Sequence, residues 1–171
     1  MRILIVLVGL LLLAGCSIQS SQLSALMGFI NKPSTDVPLN RWSVKYGNYE
    51  AIVYPISLPE GTLFSNASGD QILFDGWAVR SVKGLGYTGP AYQNRDVANK
   101  RTFMRANRSL AVHQCDQWQK EQRLDKKKFS QSCKGVNLYT NSILVEKDGS
   151  ISVIEQIVDD RYELLLLTKL N

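Results

Sequence analysis

The last third of the chain constrains the fold most. Val136 to Val145 is a run of strand formers, Lys147-Asp148-Gly149 reads as a turn, and Ser150 to Val158 is a second run. After Asp159-Asp160, the residues Tyr162, Leu164, Leu166, Thr168 and Leu170 alternate along a third. A period of two puts successive side chains on opposite faces of a strand. Three such strands joined by short connections pair as an antiparallel meander.

The texture upstream is similar. Val44, Tyr46, Tyr49, Ile52, Val53, Tyr54 and Ile56 favour strands, with a turn at Gly47-Asn48 and strand ends or an edge at Pro55 and Pro59. Gln71–Phe74 and Trp77–Val82 flank Asp75-Gly76, which suits a two-residue hairpin turn, with a β-bulge at Gly76 as the competing interpretation. Residues 83–101 are loop-like, and Gly84-Leu85-Gly86 is a turn element without the Gly-Lys-Ser/Thr of a phosphate loop. Thr102 to Trp118 suits a strand pair or one strand and an irregular stretch, and Asp116 to Lys128 suits a helix or a loop.

The N-terminus has a different grammar. Met1-Arg2 precedes an apolar run from Ile3 to Leu13, which is too short for a comfortable membrane span and fits a secretory signal. Leu13-Ala14-Gly15-Cys16 resembles the lipobox of bacterial lipoproteins. The resemblance implies cleavage before Cys16 and acylation of that cysteine, an essentially permanent bilayer anchor. Ser17, where an Asp favours inner-membrane retention, implies transfer to the outer membrane. Leu23, Leu26, Met27 and Ile30 then fall at helical spacing, before a Pro-containing linker from Lys32 to Pro38. The expected organisation is a signal peptide at 1–15, a lipidated tether with a short helix at 16–40, and a β-rich domain at 41–171. That single domain reads as mainly β, a curved antiparallel sheet or partial barrel with one or two short helices.

With Cys16 assigned to lipid, Cys115 and Cys133 remain, and an exported, oxidising compartment favours a disulfide between them. Charge is uneven: Arg80 to Lys134 holds thirteen Lys/Arg against four Asp/Glu. Such a segment suits phosphate-rich lipopolysaccharide, acidic polysaccharide or an acidic partner. The compartment excludes nucleic acid. Trp42, Trp77 and Trp118 are candidates for exposed aromatic platforms, and Trp77, Arg80, Lys83, Arg101, Arg105 and Trp118 form the candidate ligand or partner surface.

Catalytic chemistry finds little support. The sole histidine, His113, has no marked nucleophile or orienting group beside it, and one His with two oxidised Cys does not make a zinc shell. Asp116 and Asp159-Asp160 are the acids that glycosidase chemistry would need, yet paired acids at a turn are turn residues first. The expectation is a non-catalytic protein with no metal and no cofactor.

Cys115-Asp116-Gln117-Trp118, Tyr139–Ile143, Asp148–Ile151 and Glu155-Gln156 together resemble the C-terminal half of capsule-associated lipoproteins of the YjbF/GfcB type. Phe74–Val82 is similar to their Gly-Arg hairpin. The resemblance covers about half of the mature chain, with no clear match before Gly69. It implies a periplasm-facing lipoprotein serving exopolysaccharide or capsule export, without known catalytic residues. The leading expectation is thus an outer-membrane-anchored binding or assembly factor. A half-barrel lipid or lipoprotein carrier and a pilotin-like chaperone of a secretion system are the alternatives.

Overall fold

The structure, a computed structural model, describes residues 40–170 apart from Leu124. The signal segment, Cys16, Ser17 and the short helix expected between Leu23 and Ile30 lie outside the described residues. The strands are β1 (Arg41–Tyr46), β2 (Tyr49–Leu58), β3 (Gly61–Ser65), β4 (Gln71–Phe74), β5 (Val79–Lys83), β6 (Tyr92–Val97) and β7 (Lys100–Arg105). They continue as β8 (Arg108–Cys115), β9 (Gln119–Arg123), β10 (Lys126–Lys134), β11 (Leu138–Val145), β12 (Ile151–Ile157) and β13 (Leu164–Leu170). No helix occurs among the described residues, so neither 116–128 nor any other part of the β domain supplies one.

The hydrogen-bonded order runs β11-β12-β13, then β1 through β8, then β10, and β10 pairs back onto β11. Twelve strands therefore close into an antiparallel barrel, where an open sheet or partial barrel was expected. Closure removes the two edges that an open sheet of these twelve strands would leave, and β9 is appended to β10 outside the ring. It depends on β1 meeting β13, from Arg41↔Leu170 to Tyr46↔Leu165. We call the end where Asn40 enters β1 the lower rim. The β2–β3, β4–β5, β6–β7, β9–β10 and β11–β12 turns share that rim.

Three local expectations need correction. The loop-like segment 83–101 contains β6, hidden from an apolar-alternation reading because its inward positions include Asn94. Trp77 and Ala78 belong to a four-residue β4–β5 connection, and β5 starts at Val79. In β13 the inward residues are Leu165 and Leu167, both fully buried, the opposite phase from the one expected. Four consecutive leucines offer apolar side chains at either parity, so the partners decide: Leu167 faces Val44 and Ile154.

The lumen is filled and two-sided. Trp42, Val44, Val53, Phe64, Ile72, Phe74, Leu165 and Leu167 pack an apolar half. Asn94, Arg101, His113, Gln131, Asn141 and Gln156 line a buried polar seam. The outer wall carries exposed Lys45, Lys83 and Arg95, and the strands run from four to ten residues. Those features do not build the outward apolar band of a membrane-spanning barrel, which needs strands of about 9–11 residues.

Candidate functional site

Two irregularities open a cleft in the barrel wall. In β5, Ser81 faces Leu73 while Val79 faces Phe74, so Arg80 is one residue too many for β4. Between β8 and β9 the chain continues along β10 with Asp116-Gln117-Trp118 opposite only Gln131-Ser132, since Cys115 faces Cys133 and Gln119 faces Ser130. Bulges of this kind bend a strand and re-aim its side chains. The two bulges and the β6–β7 turn surround a cleft of about 580 Å³, lined by Trp77, Arg80, Asp96, Asn99, Asp116, Gln117, Trp118 and Gln131 with others. The disulfide between Cys115 and Cys133 joins β8 to β10 at its back.

An aromatic platform forms one wall. The Trp77 and Trp118 rings lie 5.7 Å apart, and the Phe129 ring meets Trp77 edge-on at 5.3 Å. Trp77 remains half exposed. Lys120 pairs directly with Phe129, and Lys127 precedes it by two residues on β10. Strand alternation therefore places both lysines on the same face of the hairpin as Phe129.

A four-member charge chain runs beside the platform, and two of its members, Arg80 and Asp96, line the cleft. Arg80 donates from Nε to Asp75 at 2.5 Å, and its Nη1 forms an ion pair with Asp96 at 3.2 Å. Asp96 also accepts from Nε and Nη2 of Arg101, at 2.8 and 2.9 Å. Burial would raise the Asp96 carboxyl, but Arg101 and Arg80 outweigh it and hold the group below its ordinary value. Asp75 behaves likewise: burial is outweighed by the backbone N–H groups of Ala78 and Trp77 and by Arg80. Asp96 is thus a fixed, ionised acceptor.

Lumen amides hold the platform in place. Because the Arg80 bulge pulls Val79 out of the regular ladder, the Val79 N–H donates to Gln156 Oε1 at 3.0 Å and its carbonyl accepts from Asn94 Nδ2 at 3.1 Å. Gln156 Nε2 donates to the Trp77 carbonyl at 2.7 Å. Gln131 Nε2 donates to the Asp116 carbonyl at 3.0 Å, and its Oε1 accepts from Asn141 at 3.3 Å, fastening the second bulge. Backbone groups freed by bulges must find such partners when buried.

Of the six residues proposed from sequence, the structure brings Trp77, Arg80 and Trp118 together. Arg101 is not on the surface at all: it is 1% exposed and supports the cleft from the lumen through Asp96. Lys83 ends β5 near the upper rim. Arg105 lies over the Tyr92 ring at 4.8 Å and bonds the Pro90 and Thr88 carbonyls, away from the cleft. Trp42 is a core residue, edge-on to Phe64 at 5.0 Å. Asp159 is fully buried at the upper rim, bonded by Tyr46 and Arg161, and does not join Asp116. Sequence reasoning missed Asp96, Phe129 and Gln131. A polar residue at an inward strand position is the signal for two of them, but its parity is invisible before the barrel is known.

No family model matches the chain, and no curated protein matches it. Among solved structures it resembles a crystal structure of the hypothetical lipoprotein YmcC from Escherichia coli K12, with a TM-score of 0.57 at 8% identity. The match spans 86% of this chain and 93% of that one. At that identity the likeness is one of fold: this barrel is similar to that of a hypothetical lipoprotein.

Proposed function

We propose that the chain is an outer-membrane lipoprotein, anchored through Cys16 and facing the periplasm, that binds an acidic polysaccharide during its export or assembly. The observation that carries the reading is the cleft, where two distant bulges set Trp77 and Trp118 side by side against Arg80 and Asp96. Indole faces offer a flat apolar platform for the C–H face of a sugar ring. Arg80 and ionised Asp96 supply a fixed donor and acceptor for neighbouring hydroxyls. Lys120 and Lys127, on the Phe129 face, suit carboxylate or phosphate substituents further along the polymer. Asp96, held ionised between two arginines, suits orientation and not proton donation, which supports a binding role over a hydrolytic one.

The lipoprotein assignment draws on the lipobox resemblance and on the similar barrel of a hypothetical lipoprotein. The export role draws on the resemblance to capsule-associated lipoproteins. A carrier would need a lumen to fill, and this one is packed with Trp42, Phe64, Phe74, Phe103 and Leu167.

Affinity electrophoresis through gels containing polygalacturonate, with dextran as the uncharged comparison, tests the reading. The wild-type chain is expected to be retarded by polygalacturonate, and Trp77→Ala to lose most of that retardation while keeping its fold. Equal migration of both proteins in both gels would remove the cleft as the binding site.

A further inference from the structure

The two most exposed large apolar side chains among the described residues sit together on one turn. Val136 is 90% and Leu138 76% exposed, at the β10–β11 connection on the upper rim. The turn is firmly built. The Tyr162 hydroxyl accepts from the N–H groups of Val136 and Asn137 at 2.5 and 3.2 Å, and the Gly135 N–H donates to the Asn137 carbonyl at 3.1 Å. Tyr162 holds a left-handed backbone conformation, φ 63°, and stacks on His113 at 5.1 Å with the planes 20° apart. His113 Nδ1 is in turn 2.9 Å from the Tyr139 hydroxyl. A Cβ at Gly135 would meet Tyr162 Oη at 2.3 Å and His113 Nε2 at 2.4 Å, so only glycine fits there. A strained tyrosine and a steric demand for glycine thus maintain a tip that offers two aliphatic side chains to solvent.

The surroundings indicate what the tip meets. On the outer wall Leu138 pairs with Lys134, Lys134 with Gln114, and Gln114 with Lys100, a row across four strands that is exposed throughout. Val112, 55% exposed, lies two residues before Gln114 on the same face. Aliphatic tips bordered by lysines match an anionic bilayer surface: the aliphatic groups enter the headgroup boundary, the lysine stems follow, and the ammonium groups meet phosphates. A tip of two protruding residues is small beside the roughly 800 Å² per partner of a stable protein interface.

We propose that the β10–β11 tip is a membrane-contact element that seats the barrel on an anionic phospholipid surface through Val136 and Leu138, with Lys134 and Lys100 beside them. Lys100 follows Asn99 of the cleft and Gln114 precedes Cys115 of the cleft, so the row that starts at the tip ends at the edge of the cleft. The proposal rests on the anchored reading only in placing a bilayer within reach.

The test uses the full acylated chain reconstituted into vesicles with and without phosphatidylglycerol. Val136→Cys and, at the β2–β3 turn of the opposite rim, Glu60→Cys each carry an environment-sensitive fluorophore, and circular dichroism verifies that each folds. With phosphatidylglycerol, the label at position 136 is expected to shift to the blue and be quenched on the order of twofold by shallow spin-labelled lipids. The label at position 60 should stay water-like. Lys134→Glu with Lys100→Glu should abolish the quenching at 136. A water-like label at 136 in the same vesicles, equal quenching at both positions, or capture of an envelope protein by a cross-linker at 136 without lipid quenching would each overturn the proposal. Flotation of the wild type with vesicles reports separately on acylation.

Discussion

Gln156 on β12 reaches across the barrel to Trp77 on the far wall, donating from Nε2 to the Trp77 carbonyl at 2.7 Å while its Oε1 takes the Val79 N–H at 3.0 Å. One lumen side chain thereby sets the backbone from which the aromatic platform projects. Removing it leaves two buried backbone groups unpaired, each costing about 1–3 kcal/mol. Gln156→Leu should therefore lower stability by about 2–4 kcal/mol in urea unfolding. Gln156→Glu should also destabilise, because a carboxylate oxygen then faces the Trp77 carbonyl. Wild-type stability in both variants would contradict this role.

Asp96 and Arg101 form the second strut. Asp96→Asn leaves the 1%-exposed guanidinium without its counter-charge, and breaking a buried pair this way costs about 3–5 kcal/mol. The double variant Asp96→Asn with Arg101→Met should recover much of the loss. Because the folded Asp96 carboxyl lies below its ordinary value, its contribution is complete above about pH 4 and disappears as pH falls through the folded value. Urea midpoints between pH 5 and pH 2 in the wild type and the double variant measure that difference.

His113 predicts a milder pH effect. Burial, helped by nearby Arg101 and opposed by Asp160, lowers its folded value below that of a free imidazole. The unfolded chain therefore takes up a proton first as pH falls below about 6.5, and stability declines over that window. His113→Phe, which retains an aromatic ring against Tyr162, should flatten the dependence between pH 7.5 and 5.5. An unchanged slope in that variant would assign the effect elsewhere.

The disulfide closes a loop with a sequence separation of 18 residues, worth roughly 3 kcal/mol in the chain-entropy model. Cys115→Ser with Cys133→Ser should lose about that much stability. Hydrogen exchange should quicken first in Asp116–Trp118 and β9, which follow β8 directly beyond this bond. Uniformly faster exchange across the barrel would show that the bond does not act locally on the cleft.

The C-terminal meander was legible because three apolar runs and their turns lie within one stretch of chain. So was the Cys115–Cys133 pair, which needed only counting. Barrel closure was not, because the Arg41↔Leu170 pairing joins opposite ends of the domain, and no local pattern encodes such a contact. Asn94, Arg101 and Gln156 look like surface residues in a sequence, yet they face inward: Asn94 and Gln156 bond backbone groups freed by the Arg80 bulge, and Arg101 pairs with Asp96. Trp77, Arg80 and Trp118 could be nominated by residue type. What brings them together, one extra residue in each of two strands, is a matter of register.

Sugar binding at the Trp77–Trp118 platform is read out by the three indole N–H resonances of the protein. Titrating the ¹⁵N-labelled chain with oligogalacturonate should move the Trp77 and Trp118 signals together and leave that of buried Trp42 in place. Three unmoved indole signals at saturating oligosaccharide, or a Trp42 shift as large as the other two, would contradict it.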